Sequence, residues 1–156
     1  MLTFDQSAYL NIKFSDFKKY DKFAAEVDKL HFNWGGTNIS NALNYALVRM
    51  FQPYNGMRSG TESKWMILIT DGDSNGDGFI NLKKAFQRKN IRLVVVGVGK
   101  VDRGNLRKLV SRDTDLFIAN DFDDLNKRLT QDIADNICSG MFITIINGKL
   151  IRALFY

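Results

Sequence analysis

Apolar and polar residues alternate with period two over residues 8 to 14, AYLNIKF, just after Met1 to Phe4, which predicts a short hairpin or edge pair of strands. Phe17, Tyr20, Ala24, Val27 and Leu30 then recur at steps of three and four, the spacing of one helical face, with Ser15 or Asp16 as the cap and an end near His31. Past the turn WGGTN, Ala42, Leu43, Ala46, Leu47 and Met50 predict an amphipathic helix of about three turns. It closes before Pro53, because the residue ahead of a proline disfavours helical backbone. A polar loop follows from Tyr54 to Ser63. Trp65 to Ile69 and Ile91 to Val98 are continuous apolar runs rich in β-branched residues, as in strands covered on both faces of a parallel sheet. A helix containing Ile80, Ala85 and Phe86 lies between them. After them come a short helix from Asn105 to Val110, a strand from Leu116 to Ala119, and a helix with Phe122, Leu125, Leu129, Ile133 and Ile137 on one face. Strand and helix alternate, and with right-handed crossovers that order specifies an open, doubly wound, mostly parallel α/β sheet with helices on both faces. Ligands of such sheets sit beyond the C-terminal strand ends, where Asp71 falls.

The segment around Asp71 has a competing interpretation. From Asp73 the chain runs Asp73, Asn75, Asp77, Gly78, Ile80, the oxygen-ligand spacing of an EF-hand calcium loop as far as its eighth position. Such a loop needs a preceding helix and a bidentate glutamate at position twelve. Here the strand WMILIT precedes it and Lys84 occupies position twelve, a cation that repels calcium. Asp71 and Gly72 are therefore expected at the tip of a buried strand.

A second element belongs with that tip. Gly35, Gly36 and Thr37 form a tight turn ending in a hydroxyl, and one helix, one loop and one strand separate Thr37 from Asp71, so both can reach the same rim. A hydroxyl oxygen and a carboxylate converging there are hard ligands suited to Mg²⁺ or Mn²⁺. The alternative is purely structural: the glycines make a turn, Thr37 caps the next helix, and Asp71 caps the segment after its strand.

Composition narrows the picture without adding chemistry. The chain has 156 residues, 45% hydrophobic and 25% charged with a single proline, which is the size and make-up of one ordinary globular domain. The longest apolar stretch near either end, MFITII at 141 to 146, is far below the roughly 20 residues of a membrane span. The N-terminus lacks the basic and apolar regions of a secretory signal. Cys138 is the single cysteine, which excludes an internal disulfide and a multi-cysteine metal cluster. His31 has no visible partner for a catalytic or metal role. Net charge is +5, and between Lys83 and Arg112 stand ten Lys or Arg with one acid, Asp102. That stretch is a solvated helix surface or a site for a polyanion. Its lack of interleaved aromatics beyond Phe86 favours a sulfated glycan over nucleic acid.

The pattern GGTNISNAL, then KWMILITDG, RKNIRLVVVGVG, LRKLVS and DLFIANDFDDL, resembles the von Willebrand factor A domain, the inserted-domain family of integrins, collagens and matrilins, over about Met1 to Cys138. The resemblance implies a Rossmann-like sheet with a metal-ion-dependent adhesion site at its rim, used for protein binding and not for catalysis. It implies Thr37 and Asp71 as metal ligands, Asp71 directly or through water, with Mg²⁺ (or Mn²⁺ or Ca²⁺) as the cofactor. The family's other ligands come from an Asp-x-Ser-x-Ser motif at the end of its first strand, which this sequence does not contain. Asp5-Gln6-Ser7-Ala8-Tyr9 imitates it, but lies too close to Thr37, and TFDQSAYLNIKF instead resembles the family's second and third strands with their turn. The expectation is a domain over 1–138 incomplete at its N-terminus, a fragment or truncated product with weak or absent metal binding. The partner of Cys138 would belong to the part it lacks.

The implied setting is extracellular, with a matrix protein such as collagen or another adhesion protein as partner and no membrane span. An intracellular assembly factor carrying the same domain is the alternative. A nucleotide-binding Rossmann enzyme fits less well, because after Gly97 and Gly99 the next glycine is Gly104, out of place for the phosphate loop. The tail, residues 139–156, lies outside the resemblance. Two apolar runs flank Asn147-Gly148, a hairpin signal. The tail is the start of another module, an aberrant terminus, or a strand filling the vacant central slot of the sheet. In that last case Asn147 and Lys149 would stand near the motif's place without restoring a metal site.

Overall fold

A computed structural model describes residues 1–16, 20–30, 35–60, 64–74, 76–125 and 127–137, except the side chains at 20, 21, 127, 128 and 137. His31, Cys138 and the tail with its expected hairpin lie outside the described residues. The chain forms two compact units, one over Met1–Thr61 and the other beginning at Glu62.

In the first unit β1 (Leu2–Phe4) pairs antiparallel with β2 (Ala8–Leu10), Leu2 opposite Leu10. Asp5 closes the turn between them: its carboxylate accepts from the Ser7 amide at 2.6 Å, and its own amide donates to the Ser7 carbonyl at 2.9 Å. Asp5 and Ser7 are thus turn residues of a hairpin, as the pattern TFDQSAYLNIKF predicts. Helix α1 spans Tyr20–Val27. Asp16, expected as its cap, turns back and accepts from the Lys13 amide at 2.8 Å. Helix α2 (Ile39–Tyr45) runs on into a π-helical turn, Ala46–Met50, whose wider ring is closed by the Phe51 amide on the Ala46 carbonyl at 2.9 Å. Ile39, Ala42, Leu43, Ala46 and Leu47 form its buried stripe.

The second unit alternates β3 (Lys64–Thr70), α3 (Phe79–Arg88), β4 (Ile91–Val98), α4 (Arg103–Arg107), β5 (Leu116–Ala119) and α5 (Lys127–Ile137). Its sheet has the order β3-β4-β5, all parallel, with Lys64 beside Ile91 and Val95 beside Leu116. Paired residues share a face. On one face Val94, Val96, Val98 and Ala119 pack with Ile133 of α5, flanked by Trp65, Phe117, Leu125 and Leu129. On the other, a Cβ placed on Gly97 would stand 2.7 Å from Val101, 2.9 Å from Leu106 and 3.1 Å from Ile118, so α4 lies close because that position has no side chain. The Gln87 amide group donates to the Ser111 hydroxyl at 2.9 Å, tying α3 to the chain just past α4 on the same side. Helices therefore cover both faces of this sheet.

A buried ion pair fixes the base of the unit. Asp115 is fully buried and accepts from Arg92 Nε at 3.0 and 3.1 Å and from its Nη2. The guanidinium lies 4.4 Å from the Trp65 ring centre and donates to Asn136 Oδ1 at 2.8 Å. Asn136 in turn donates to the Thr114 carbonyl. The C-terminal end of α5 is thereby held at the N-terminal ends of β4 and β5.

The described strands make two sheets, a two-stranded antiparallel one and a three-stranded parallel one, and among the described residues no strand pairs with the outer edge of β3. Helix α3 contains Ile80, Ala85 and Phe86 as expected and begins at Phe79 directly after Gly78; Phe79 and Phe86 are buried and Ile80 is 52% exposed. Phe122, expected on the buried face of α5, is 57% exposed and precedes that helix, in a turn where the Asp124 amide donates to Asp121 Oδ1 at 2.9 Å.

Candidate metal-binding rim

Asp71 follows Thr70, the last residue of β3. The buried Thr70 hydroxyl donates to the Gly72 carbonyl at 3.2 Å, turning the chain and leaving Asp71 exposed at the strand tip. Among the described residues its carboxylate has no hydrogen-bond or ion-pair partner. It caps no helix, since α3 starts at Phe79 after Gly78.

The rest of the loop is anchored to its neighbour. Asp73 Oδ1 accepts from the Asp102 amide at 2.5 Å, and Asn105 Nδ2 donates to the Ser74 carbonyl at 3.3 Å. Asp102 itself caps α4 by accepting from the Asn105 amide at 3.0 Å. A Cβ on Gly76, whose φ is 73°, would stand 2.7 Å from Asn105 Oδ1. The first residue of the calcium-loop spacing is thus spent on a backbone amide, and a strand precedes it. The EF-hand interpretation is excluded.

Thr37 is half-buried, and the cap of α2 is Asn38: its Oδ1 accepts from the Asn41 amide at 2.9 Å. The expectation that Thr37 caps this helix is corrected, and its hydroxyl has no hydrogen bond among the described residues. Sequence reasoning missed Asn38, although asparagine ranks above threonine as a cap. The two glycines are more than a turn. A Cβ on Gly35 would stand 2.6 Å from Asp5 Cβ, and one on Gly36 would stand 2.0 Å from Gln6 Nε2. The Asn38 amide donates to the Asp5 carbonyl at 2.9 Å, and Asn41 Nδ2 to the Gln6 carbonyl at 3.0 Å. Close approach to Asp5 Cβ of the hairpin turn is what requires glycine at Gly35, whereas the flexible end of Gln6 can move away from Gly36.

Thr37 and Asp71 belong to different units and offer a hydroxyl oxygen and an exposed carboxylate, both without competing bonds among the described residues. This donor set fits a hard divalent cation in kind. It falls short in number, since no group of three or more His, Cys, Asp or Glu that could hold a metal occurs among the described residues.

The basic stretch is also sorted by the structure. Arg92 is committed to Asp115, and Arg107 pairs with Asp113 while donating to the Val110 carbonyl at 3.1 Å. Lys84, Arg88, Lys100, Arg103, Lys108 and Arg112 are exposed. No described helix is long and apolar enough to cross a membrane.

Parallel strands joined by covering helices, with an exposed aspartate at a strand tip, define a Rossmann-like α/β domain. The profile of the von Willebrand factor type A domain matches residues 1–132, and the chain belongs to that family. It is 31% identical over 116 residues to the collagen α-1(XII) chain of Notophthalmus viridescens, covering 74% of this chain and 12% of that protein. Over 82 residues it is 32% identical to matrilin-1 of Gallus gallus, covering 51% of this chain and 16% of that protein. The chain therefore spans a small part of these relatives, which are extracellular-matrix proteins. Proximal thread matrix protein 1 from the mussel byssus has the same fold, with a TM-score of 0.81 at 21% identity over 88% of this chain and 35% of that one. A second structure of that protein, described as having a zinc-occupied MIDAS motif, aligns with a TM-score of 0.77 at 24% identity, over 88% of this chain and 34% of that one.

Proposed function

We propose that this chain is a non-enzymatic adhesion module of the extracellular matrix, binding a matrix protein such as collagen, or another adhesion protein, at the rim where β3 ends. The observation that carries the proposal is Asp71: an exposed carboxylate at the strand tip with no partner among the described residues. Family membership and the matrix relatives support it.

Thr37 and Asp71 are the metal ligands this chain contributes, Thr37 through its hydroxyl and Asp71 directly or through a water. The cation is Mg²⁺, with Mn²⁺ or Ca²⁺ as substitutes, and when bound it supplies a positive centre for an acidic group of the ligand. Two oxygens leave most of an octahedral shell to water, and the sequence holds no Asp-x-Ser-x-Ser motif to add more, so metal affinity of this chain is weak. The domain as its resemblance defines it extends to Cys138, and the tail 139–156 lies outside that resemblance. The exposed cations of the 83–112 stretch give a second, salt-sensitive contact to a sulfated glycan.

Binding to immobilised matrix proteins, measured with Mg²⁺ and with a chelator and paired with calorimetric Mg²⁺ titration, tests this. Matrix binding accompanied by weak or undetectable Mg²⁺ uptake is expected. Tight, stoichiometric Mg²⁺ binding overturns the incomplete site, and a chain that retains no matrix protein overturns the adhesion role.

A further inference from the structure

We propose that Lys83, Lys84, Arg88 and Arg112 form one sulfated-glycan site at the base of the second unit, an assignment that rests on the glycan contact proposed above. The site lies at the opposite end of the unit from Asp71, so the module can hold a glycan and a protein ligand together. Of the ten cations between Lys83 and Arg112, several are already engaged. Arg92 is held by Asp115, Arg107 by Asp113, and Lys108 Nζ donates to Asn105 Oδ1 at 2.6 Å. Lys100 and Arg103 follow the C-terminal end of β4, at the rim.

One hydrogen bond gathers the four that form the site. Gln87 Nε2 donates to Ser111 Oγ at 2.9 Å, joining the last turn of α3 to the segment between α4 and β5. Lys83 and Lys84 precede Gln87 by four and three positions, so they lie beside it on the helix surface, one turn back. Arg88 and Arg112 adjoin the two bonded residues in sequence. Lys84, Arg88 and Arg112 are exposed, Lys83 is half-buried, and none of the four has a hydrogen-bond or ion-pair partner among the described residues. Asp113, next to Arg112, is taken up by Arg107. Asp132 of α5 lines a cavity with Arg112 without pairing with it, and is the acid that bounds the patch. Four uncompensated cations therefore surround a neutral, polar centre made of an amide and a hydroxyl.

That arrangement matches a chain that carries fixed negative charges on a hydroxyl-rich backbone. The guanidinium forks of Arg88 and Arg112 suit the oxygens of a sulfate ester, and the Gln87 and Ser111 pair suits sugar hydroxyls. A single-stranded nucleic acid calls for exposed aromatic platforms, and Phe86, the one aromatic of this stretch, is buried. Position gives the site its use. Helix α3 ends at Arg88 and β4 begins at Ile91 beside Lys64, so Arg88 lies level with the N-terminal ends of the strands. Asp71 follows the last residue of β3, and the seven residues of that strand set the two levels about 20 Å apart. A glycan held at the base leaves the rim open, and one unit bridges two components of a matrix.

Binding of the full chain to immobilised heparin tests the site with no matrix protein present. Arg88→Ala with Arg112→Ala should weaken binding at least about tenfold at low salt and flatten its salt dependence, because fewer counterions are released. Lys100→Ala with Arg103→Ala removes the same charge at the rim and should weaken binding less than about twofold. No retention of the unsubstituted chain overturns the site, and so do equal losses in the two pairs, since net charge alone then accounts for retention. Desulfated heparin competing as well as heparin overturns the sulfated ligand, as does single-stranded DNA or polyglutamate competing better. For the bridge, the chain bound to an immobilised matrix protein should take up labelled heparin that the Arg88, Arg112 pair of substitutions removes. Displacement of the chain by heparin overturns the bridge. A chain that shows this heparin pattern and binds no matrix protein overturns the adhesion role and the bridge with it, and leaves the glycan site standing.

Discussion

β4 and β3 are neighbouring, mostly apolar strands in opposite circumstances. IRLVVVGV is buried at every position but Arg92, whereas in KWMILIT only Leu68 and Thr70 are buried. Both runs carry the apolar signature of strands inside a parallel sheet. What separates them is company: β4 has a strand on each side and α5 across one face, while β3 has a single strand neighbour among the described residues and two isoleucines left exposed. A run of β-branched residues thus announces a strand made for burial, and its neighbours decide whether burial is achieved.

That contrast can be broken at four places. The largest effect is expected at the base of β4, where Asp115→Ala leaves Arg92 without its buried partner. Chemical denaturation should show a loss of about 3–5 kcal/mol. Next, Val94→Ala in β4 should cost about 2 kcal/mol, while Ile67→Ala on β3 costs under about 1 kcal/mol although it removes more carbon. Equal costs in the same assay would show that the outer face of β3 is covered in solution. Substituting Asp71 by Ala at the tip of β3 should leave stability within about 0.5 kcal/mol, since the carboxylate holds nothing among the described residues. It should nevertheless remove whatever metal-dependent matrix binding the chain has, read as loss of the chelator-sensitive fraction. The smallest change is expected from Arg88→Ala with Lys108→Ala: unaltered melting, with weaker retention on a sulfated-glycan column at low salt only.

The second unit was highly legible in the sequence. Ile91 to Val98 and Leu116 to Ala119 are strands with the predicted bounds, because a buried parallel strand writes an unbroken apolar run. The hairpin around Asp5 was legible through alternation, and Asp71 at a strand tip through the end of WMILIT. Less was readable where a neighbour in space decides. Nothing in Ala46 to Met50 marks a π-helical turn, since its wider hydrogen bond leaves the apolar spacing almost intact. Asn38 displaced Thr37 as cap because two adjacent residues could each do that work and their order relative to Ile39 settled it. Phe122 reads as part of a helical face by spacing alone, yet it stands in the turn ahead of α5, where helical periodicity does not place side chains.

Gly97 carries a consequence in the language of inheritance. The point where β4 meets α4 has no room for one further carbon atom. Every single-base change of a glycine codon that alters the amino acid without ending the chain inserts at least that carbon, and most insert a charge or a branched group with it. Missense variation at this codon should therefore behave as loss of the whole domain, while the codons for Ile67 and Ile69, on the adjacent strand, drift among small and apolar residues with little effect on carriers.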